Sequence, residues 1–194
     1  MKVRRYSILF VSQISCLVIL FVVFRPVFFA NFAYTDEAHQ LWYNDTNADF
    51  TMFLVQGRLV TGLIIQKLFS SIAAVDQLKW IRMLSFTGWA VAVIVWNLVL
   101  HNWKTVFNLD ERWVFLLGIF LPCSIPVAIA IGWASCVELF VAFILALLSG
   151  QLLINNIYQK KLLTPRFVLL LLLALCSLFP VSYTHLTLPT KRIV

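Results

Sequence analysis

The sequence predicts an all-α, polytopic transmembrane helix bundle with a large first extracytoplasmic loop that contains juxtamembrane helices. Three observations predict it. Of the 194 residues, 62% are hydrophobic and only 12% charged, with mean hydropathy +0.93, whereas a soluble domain carries roughly 25% charged residues. The apolar residues lie in runs close to the ~20 residues that a membrane-crossing helix needs. The net charge is +7 and the pI about 9.5. In a chain this apolar, such a balance reads as Lys and Arg held at the cytoplasmic ends of spans.

The first run, about 7–24 ("SILFVSQISCLVILFVVF"), follows Lys2, Arg4 and Arg5, which place the N-terminus in the cytoplasm. It is longer than the roughly 7–15 residues of a signal-peptide core, and "ANFA" after it is a poor cleavage site. Arg25 and Pro26 suit its outer end, because Arg snorkels to the interface and Pro interrupts a helix. Further spans are expected at about 83–100, 113–131 and 134–154, with a shortened one at 167–180.

The run 53–75 is ambiguous, since Gln56, Arg58, Gln66, Lys67, Ser70 and Ser71 interrupt it. Loop charge decides. If 53–75 does not cross, the loops 101–112 (Lys104, Arg112) and 155–166 (Lys160, Lys161, Arg166) join the N-terminus inside, and all eight of these basic residues are cytoplasmic. If it crosses, five of the eight move outside. The positive-inside bias therefore predicts an embedded helix at about 53–75, within an outer loop running from about 26 to 80.

The tail "VSYTHLTLPTKRIV" (181–194) resembles the translation of a sequencing adapter. The expectation is that the natural sequence is cut near Pro180, so that residues 1–180 form the N-terminal part of a longer membrane domain and the tail is non-native.

The outer loop holds "NFAYTDEAHQLWYNDTNADF" (31–50), with four of the chain's eight acidic residues: Asp36, Glu37, Asp45 and Asp49. The letters DEAH do not make a helicase, because no phosphate-binding G-x-x-x-x-G-K-[ST] loop accompanies them. No nucleic-acid partner is expected. Asp36 and Glu37 fall about a dozen residues past the bilayer edge, where a carboxylate can take the proton of an acceptor hydroxyl. Arg58 and Arg82 are candidates to neutralise a phosphate. Asp45 and Asp49, with Asn44 and Asn47, read as a solvated turn, and Asn44-Asp45-Thr46 is a glycosylation sequon. His101 reads as a span-end residue and most tryptophans as interface belts, with Trp42 placed to contact a glycan. Glu138, an acid inside a span near its outer end, is a functional-site hypothesis by default. Cys16, Cys123, Cys136 and Cys176 form no C-x-x-C pair and read as packing residues.

The segment "GRLVTGLIIQKLFSSIAAVDQLKWIRMLSFTGWAVAVIVWNLV" (57–99) and "YTDEAHQLW" just after span one resemble the GT-C type membrane glycosyltransferases. The nearest groups are dolichyl-phosphate-mannose mannosyltransferase-like enzymes and bacterial O-antigen glucosyltransferases. Arg82-Met83-Leu84-Ser85 sits where that family has R-L-P-S, and the resemblance covers about residues 5–155. It implies transfer of a sugar from a polyprenyl-phosphate carrier to a lipid-linked glycan, a lipid or a protein on the outer face of the membrane. The setting it suggests is a bacterial inner membrane. It implies Asp36 as base or acceptor-orienting group, with Glu37 second, and Arg58, Arg82, His39 and Trp42 on the substrate. No cofactor is expected, although some relatives place a divalent metal here, for which Asp36, Glu37 and His39 would be ligands. The family's acidic motif in the second outer loop is missing, since "IPVAIAIGWASCVELF" holds only Glu138. A transporter or flippase, with the acidic loop as an outer vestibule, fits the same composition. A 53–75 segment lying along the membrane favours catalysis; a spanning one favours transport.

Overall fold

The computed structural model describes residues 2–42, 59–158 and 165–178. Within them the α-helices are α1 (Lys2–Phe24), α2 (Thr35–Trp42), α3 (Leu59–Phe69), α4 (Leu78–Phe107), α5 (Glu111–Phe120), α6 (Ile125–Gly132), α7 (Leu139–Tyr158) and α8 (Pro165–Leu178). No strand occurs among the described residues. Among the described residues, four segments are long and apolar enough to cross a membrane: Phe10–Phe28, Val75–Phe107, Glu111–Gly132 and Ala134–Tyr158. The protein is an all-α, multi-pass membrane helix bundle.

α4 is the central helix. α1 runs antiparallel to it: the Phe21 and Phe86 rings meet at 6.4 Å, and Ser12 Oγ donates to Asn97 Oδ1 at 3.3 Å. α5 and α6 return along α4, where Trp96 Nε1 donates to the Leu117 carbonyl at 2.9 Å and Ser85 Oγ to the Ala130 carbonyl at 2.7 Å. α7 runs parallel to α4, with Trp89 and Phe143 at 5.4 Å and the Tyr158 hydroxyl donating to the Val106 carbonyl at 3.1 Å. α8 packs back on α7, with Ser149 Oγ donating to the Leu170 carbonyl at 3.3 Å.

The polarity is that of a protein whose solvent is lipid. Ser12, Ser85, Asn97, Ser149 and Asn156 are buried, while Phe10, Val22, Phe120 and Ile125 are exposed. Between apolar helices in lipid, close packing and interhelical hydrogen bonds replace the hydrophobic effect as the adhesive. Glycine makes the close approaches possible: a Cβ on Gly88 would strike the Phe140 ring, and one on Gly118 would lie 2.5 Å from Asn97 Oδ1.

The strand of contacts fixes two ends. The start of α1, the turn after α4 and the end of α7 lie at one end. The end of α1, α2, α3, the start of α4 and residues 132–138 lie at the other, where Ile65, Phe69, Leu78, Ile81, Ala134 and Val137 form one core.

Several boundaries differ from the expected ones. α4 runs 30 residues rather than over 83–100, or ~45 Å of helix, so it projects past the bilayer core. It stops at Asn108, whose φ of 51° is left-handed and whose N–H bonds the Lys104 carbonyl, a geometry Asn tolerates better than most residues. The run 113–131 divides at 121–124, because Pro122 and Pro126 each lack an N–H for the helix ladder. The 134–154 run opens as a 3-10 turn at Ala134–Cys136, and α7 begins only at Leu139. Instead of filling 53–75, α3 ends at Phe69, where the Ser70 and Ser71 hydroxyls both take the Lys67 carbonyl at 2.9 Å, a competition that ends helices. Residues 53–58, Asp45, Asp49 and the tail 181–194 lie outside the described residues.

Candidate functional site

The acidic dipeptide opens α2. Its sequence "TDEAHQLW" carries Asp36 and Glu37 in the first turn, where carboxylates complement the positive end of the helix dipole. Glu37 reaches back and accepts from the Tyr34 backbone N–H at 2.9 Å, the side-chain half of a capping box. Successive helix residues turn by about 100°, so Asp36 and Glu37 point in different directions. Glu37, Gln40 and Leu41 accordingly turn inward, and Thr35, Asp36, His39 and Trp42 are exposed.

The inward face is held by a buried ion pair. Arg82, one turn into α4, donates through Nη2 to Glu37 Oε2 at 2.9 Å, and both side chains are fully buried. The same Nη2 donates to the Phe32 carbonyl at 2.8 Å and Nη1 to the Ala30 carbonyl at 3.3 Å. The Phe32 ring covers the guanidinium at 4.3 Å, a cation–π contact that strengthens where water is excluded. Among the described residues, Arg82 Nε has no hydrogen-bond partner. Glu37 Oε1 accepts from the Ala134 N–H, which is open because Ala134 begins a 3-10 turn whose first N–H groups have no helical acceptor. Ser135 Oγ donates to Gln40 Oε1 at 2.8 Å. Tyr34 lies 5.1 Å from Phe32 and 5.5 Å from Trp133, ring centre to ring centre, closing an aromatic rim over the pair.

Both outer connections are thereby tied to one carboxylate. Residues 30–42 join α4 through Arg82, and the 133–136 turn joins α2 through Ala134 and Ser135. A charge taken out of water needs a partner and further hydrogen bonds to offset its lost hydration, and Glu37 has one cation and two backbone donors.

Of the expected site residues, Asp36, His39 and Trp42 fall together on the open face of α2, Trp42 at 74% exposure. Glu37 and Arg82 meet beneath that face, enclosed by protein. Arg58 lies outside the described residues. Arg82 is thus not open to a substrate phosphate in this geometry, since its fork is committed to Glu37 and two carbonyls. Glu138 is buried just before α7 and accepts from the Val141 N–H through its carbonyl at 3.0 Å. Among the described residues, no three His, Cys, Asp or Glu side chains gather as they would around a metal ion. Gln40, Ser135 and the Ala134 N–H were not expected. Gln40 had a signal, lying three residues after Glu37 and hence on its face; the backbone donor had none.

No protein-family model, no curated protein and no solved structure matches this chain.

Proposed function

We propose that this protein is a membrane glycosyltransferase that moves a sugar from a polyprenyl-phosphate carrier to a glycan, lipid or protein acceptor on the outer face of a membrane. In this reading the N-terminus is cytoplasmic and the membrane is a bacterial inner membrane. One observation carries the proposal: Asp36 stands exposed on a helix whose inward face is fixed by a buried ion pair and three further hydrogen bonds to Glu37 and Gln40. A general base needs a defined position and access to its substrate, and this arrangement supplies both. The packing of α3 against Leu78, Ile81, Ala134 and Val137 at one end of the bundle also supports catalysis over transport.

Asp36 accepts the acceptor's hydroxyl proton as that oxygen bonds the sugar's anomeric carbon. The bond from that carbon to the carrier phosphate breaks, and polyprenyl phosphate leaves with the electron pair. His39 and Trp42, on the same face, contact the substrates, and Arg58 is the remaining candidate to neutralise the phosphate. Glu37 and Arg82 are positioning residues that hold α2 and touch no reacting atom.

The test is transfer of labelled sugar from a polyprenyl-phosphate donor in membranes containing the native gene product. Asp36→Asn should lower transfer by about 10²- to 10⁴-fold, the usual contribution of a general base, with insertion and thermal stability unchanged. Transfer at the unsubstituted rate would remove Asp36 from the mechanism.

A further inference from the structure

At the end of the bundle that holds the start of α1, α4 and α7 leave a gap between them. Mid-bundle they touch: Trp89 and Trp96 both meet the Phe143 ring, at 5.4 and 6.3 Å. Gly150 then gives α7 no side chain, and a Cβ there would lie 3.9 Å from Trp103 Cζ2, two bonds from the indole nitrogen. One turn further on, Phe107, Ile154, Ile157 and Tyr158 line a cavity of about 450 Å³, within the roughly 300–1,000 Å³ of small-molecule sites. Two buried polar atoms beside it have no hydrogen-bond partner among the described residues: Trp103 Nε1, a donor, and Gln151 Oε1, an acceptor. Trp103 stands four residues before Phe107, with the two rings 6.5 Å apart. Gln151 stands three residues before Ile154 and seven before Tyr158, hence on the face of α7 that lines the cavity. Its Nε2 is already given to Asn155 Oδ1 at 3.0 Å. A polar group kept from water without a partner is costly, and here a donor and an acceptor are both left open.

We infer that this cavity binds a neutral lipid with a free hydroxyl, of the diacylglycerol kind. Its chain lies along Phe107, Ile154 and Ile157, Trp103 Nε1 donates to a lipid oxygen, and the lipid hydroxyl donates to Gln151 Oε1. The walls select the chain: none of the four lining residues is charged, so an apolar chain is matched and a phosphate is not. The open polar atoms select the hydroxyl, because it accepts and donates at once, whereas an acyl chain alone would satisfy neither atom. Depth agrees with both. Trp103 lies about one turn short of the end of the span Val75–Phe107, at the membrane–water boundary where indole rings meet lipid headgroups. The site is at the opposite end of the bundle from Asp36, so the inference stands apart from the chemistry proposed there.

The experiment is photolabelling of the full chain in phosphatidylcholine proteoliposomes with a diazirine-bearing diacylglycerol, the sites being read by peptide mass spectrometry. Label should fall on Phe107 and on residues 154–158, and unlabelled dioleoylglycerol should displace it. The acetate ester of dioleoylglycerol, which has no hydroxyl to donate, should compete about 3- to 10-fold less well, the loss of one hydrogen bond. Trp103→Phe and Gln151→Leu should each raise the half-saturating concentration of the label by a similar factor. The two variants alter different helices, so one of them serves if the other does not fold. Equal competition by the acetate overturns the inference in favour of an ordinary lipid-facing groove. Stronger competition by phosphatidic acid overturns it in favour of an anionic ligand. Label absent from both places overturns it in favour of cover by protein.

Discussion

Removing one partner of the Glu37–Arg82 pair is the sharpest test of the architecture, because the cost is calculable from what each group leaves behind. In Arg82→Met the carboxylate keeps its Tyr34 and Ala134 donors, while the Ala30 and Phe32 carbonyls lose theirs. Breaking a buried ion pair costs about 3–5 kcal/mol, and the remaining donors put this variant near the lower figure. Glu37→Leu is worse. It leaves a buried guanidinium with carbonyls alone and abandons two N–H groups, each worth about 1–3 kcal/mol when unsatisfied. The double variant removes both charges and still orphans the backbone groups, so it should recover the charge penalty and nothing more. The three variants should therefore rank Glu37→Leu below Arg82→Met, with the double variant less destabilised than the sum by about 3 kcal/mol or more.

The assay is equilibrium unfolding in mixed micelles with rising dodecyl sulfate, read by the fluorescence of the chain's seven tryptophans. Costs that add to within about 0.5 kcal/mol would show that the two side chains act independently. The clasp would then be no part of what holds the outer end together.

Gly118→Ala places a Cβ 2.5 Å from Asn97 Oδ1 where three helices meet, and should cost about 1–3 kcal/mol as overpacking in the same micelle titration. Ser135→Ala removes the donor to Gln40 and should cost about 1 kcal/mol, with a proportionate loss of transfer activity through misplacement of α2. Asn108→Gly should preserve stability, because φ of 51° suits glycine, whereas Asn108→Ala should lose about 1 kcal/mol. In intact cells, a cysteine placed by Ala73→Cys should react with an impermeant maleimide and one placed by Asn108→Cys should not; the reverse pattern inverts the topology.

Much of the fold was legible because lipid imposes a simple rule: a backbone in hydrocarbon must be helical, and about 20 apolar residues make a span. The turn after α4 and the end of α7 share an end with the start of α1. The boundaries were less legible. Hydropathy treats 113–131 as one run and cannot see that Pro122 and Pro126 divide it. It also cannot see that Ser70 and Ser71 close α3 by taking the Lys67 carbonyl. At the candidate site the sequence singled out Glu37 and Arg82 but not their relation, because 45 residues separate them. No local pattern measures such a distance.

The two acids were ranked as alternatives for one task, and the helix separates them into two. Adjacent residues on α2 point about 100° apart, and with Glu37 turned into the bundle Asp36 is left exposed. Burial then decides the chemistry open to each. A carboxylate held by a guanidinium and two backbone N–H groups, and fully buried, is out of a substrate's reach and serves as an anchor. An exposed neighbour on the same turn has freedom to meet a substrate without having to hold the loop. The division predicts different failures. Loss of Glu37 should lower stability first and activity as a consequence, whereas loss of Asp36 should lower activity alone. A Glu37→Gln variant that folds as well as the unsubstituted chain but transfers no sugar would reverse the two assignments.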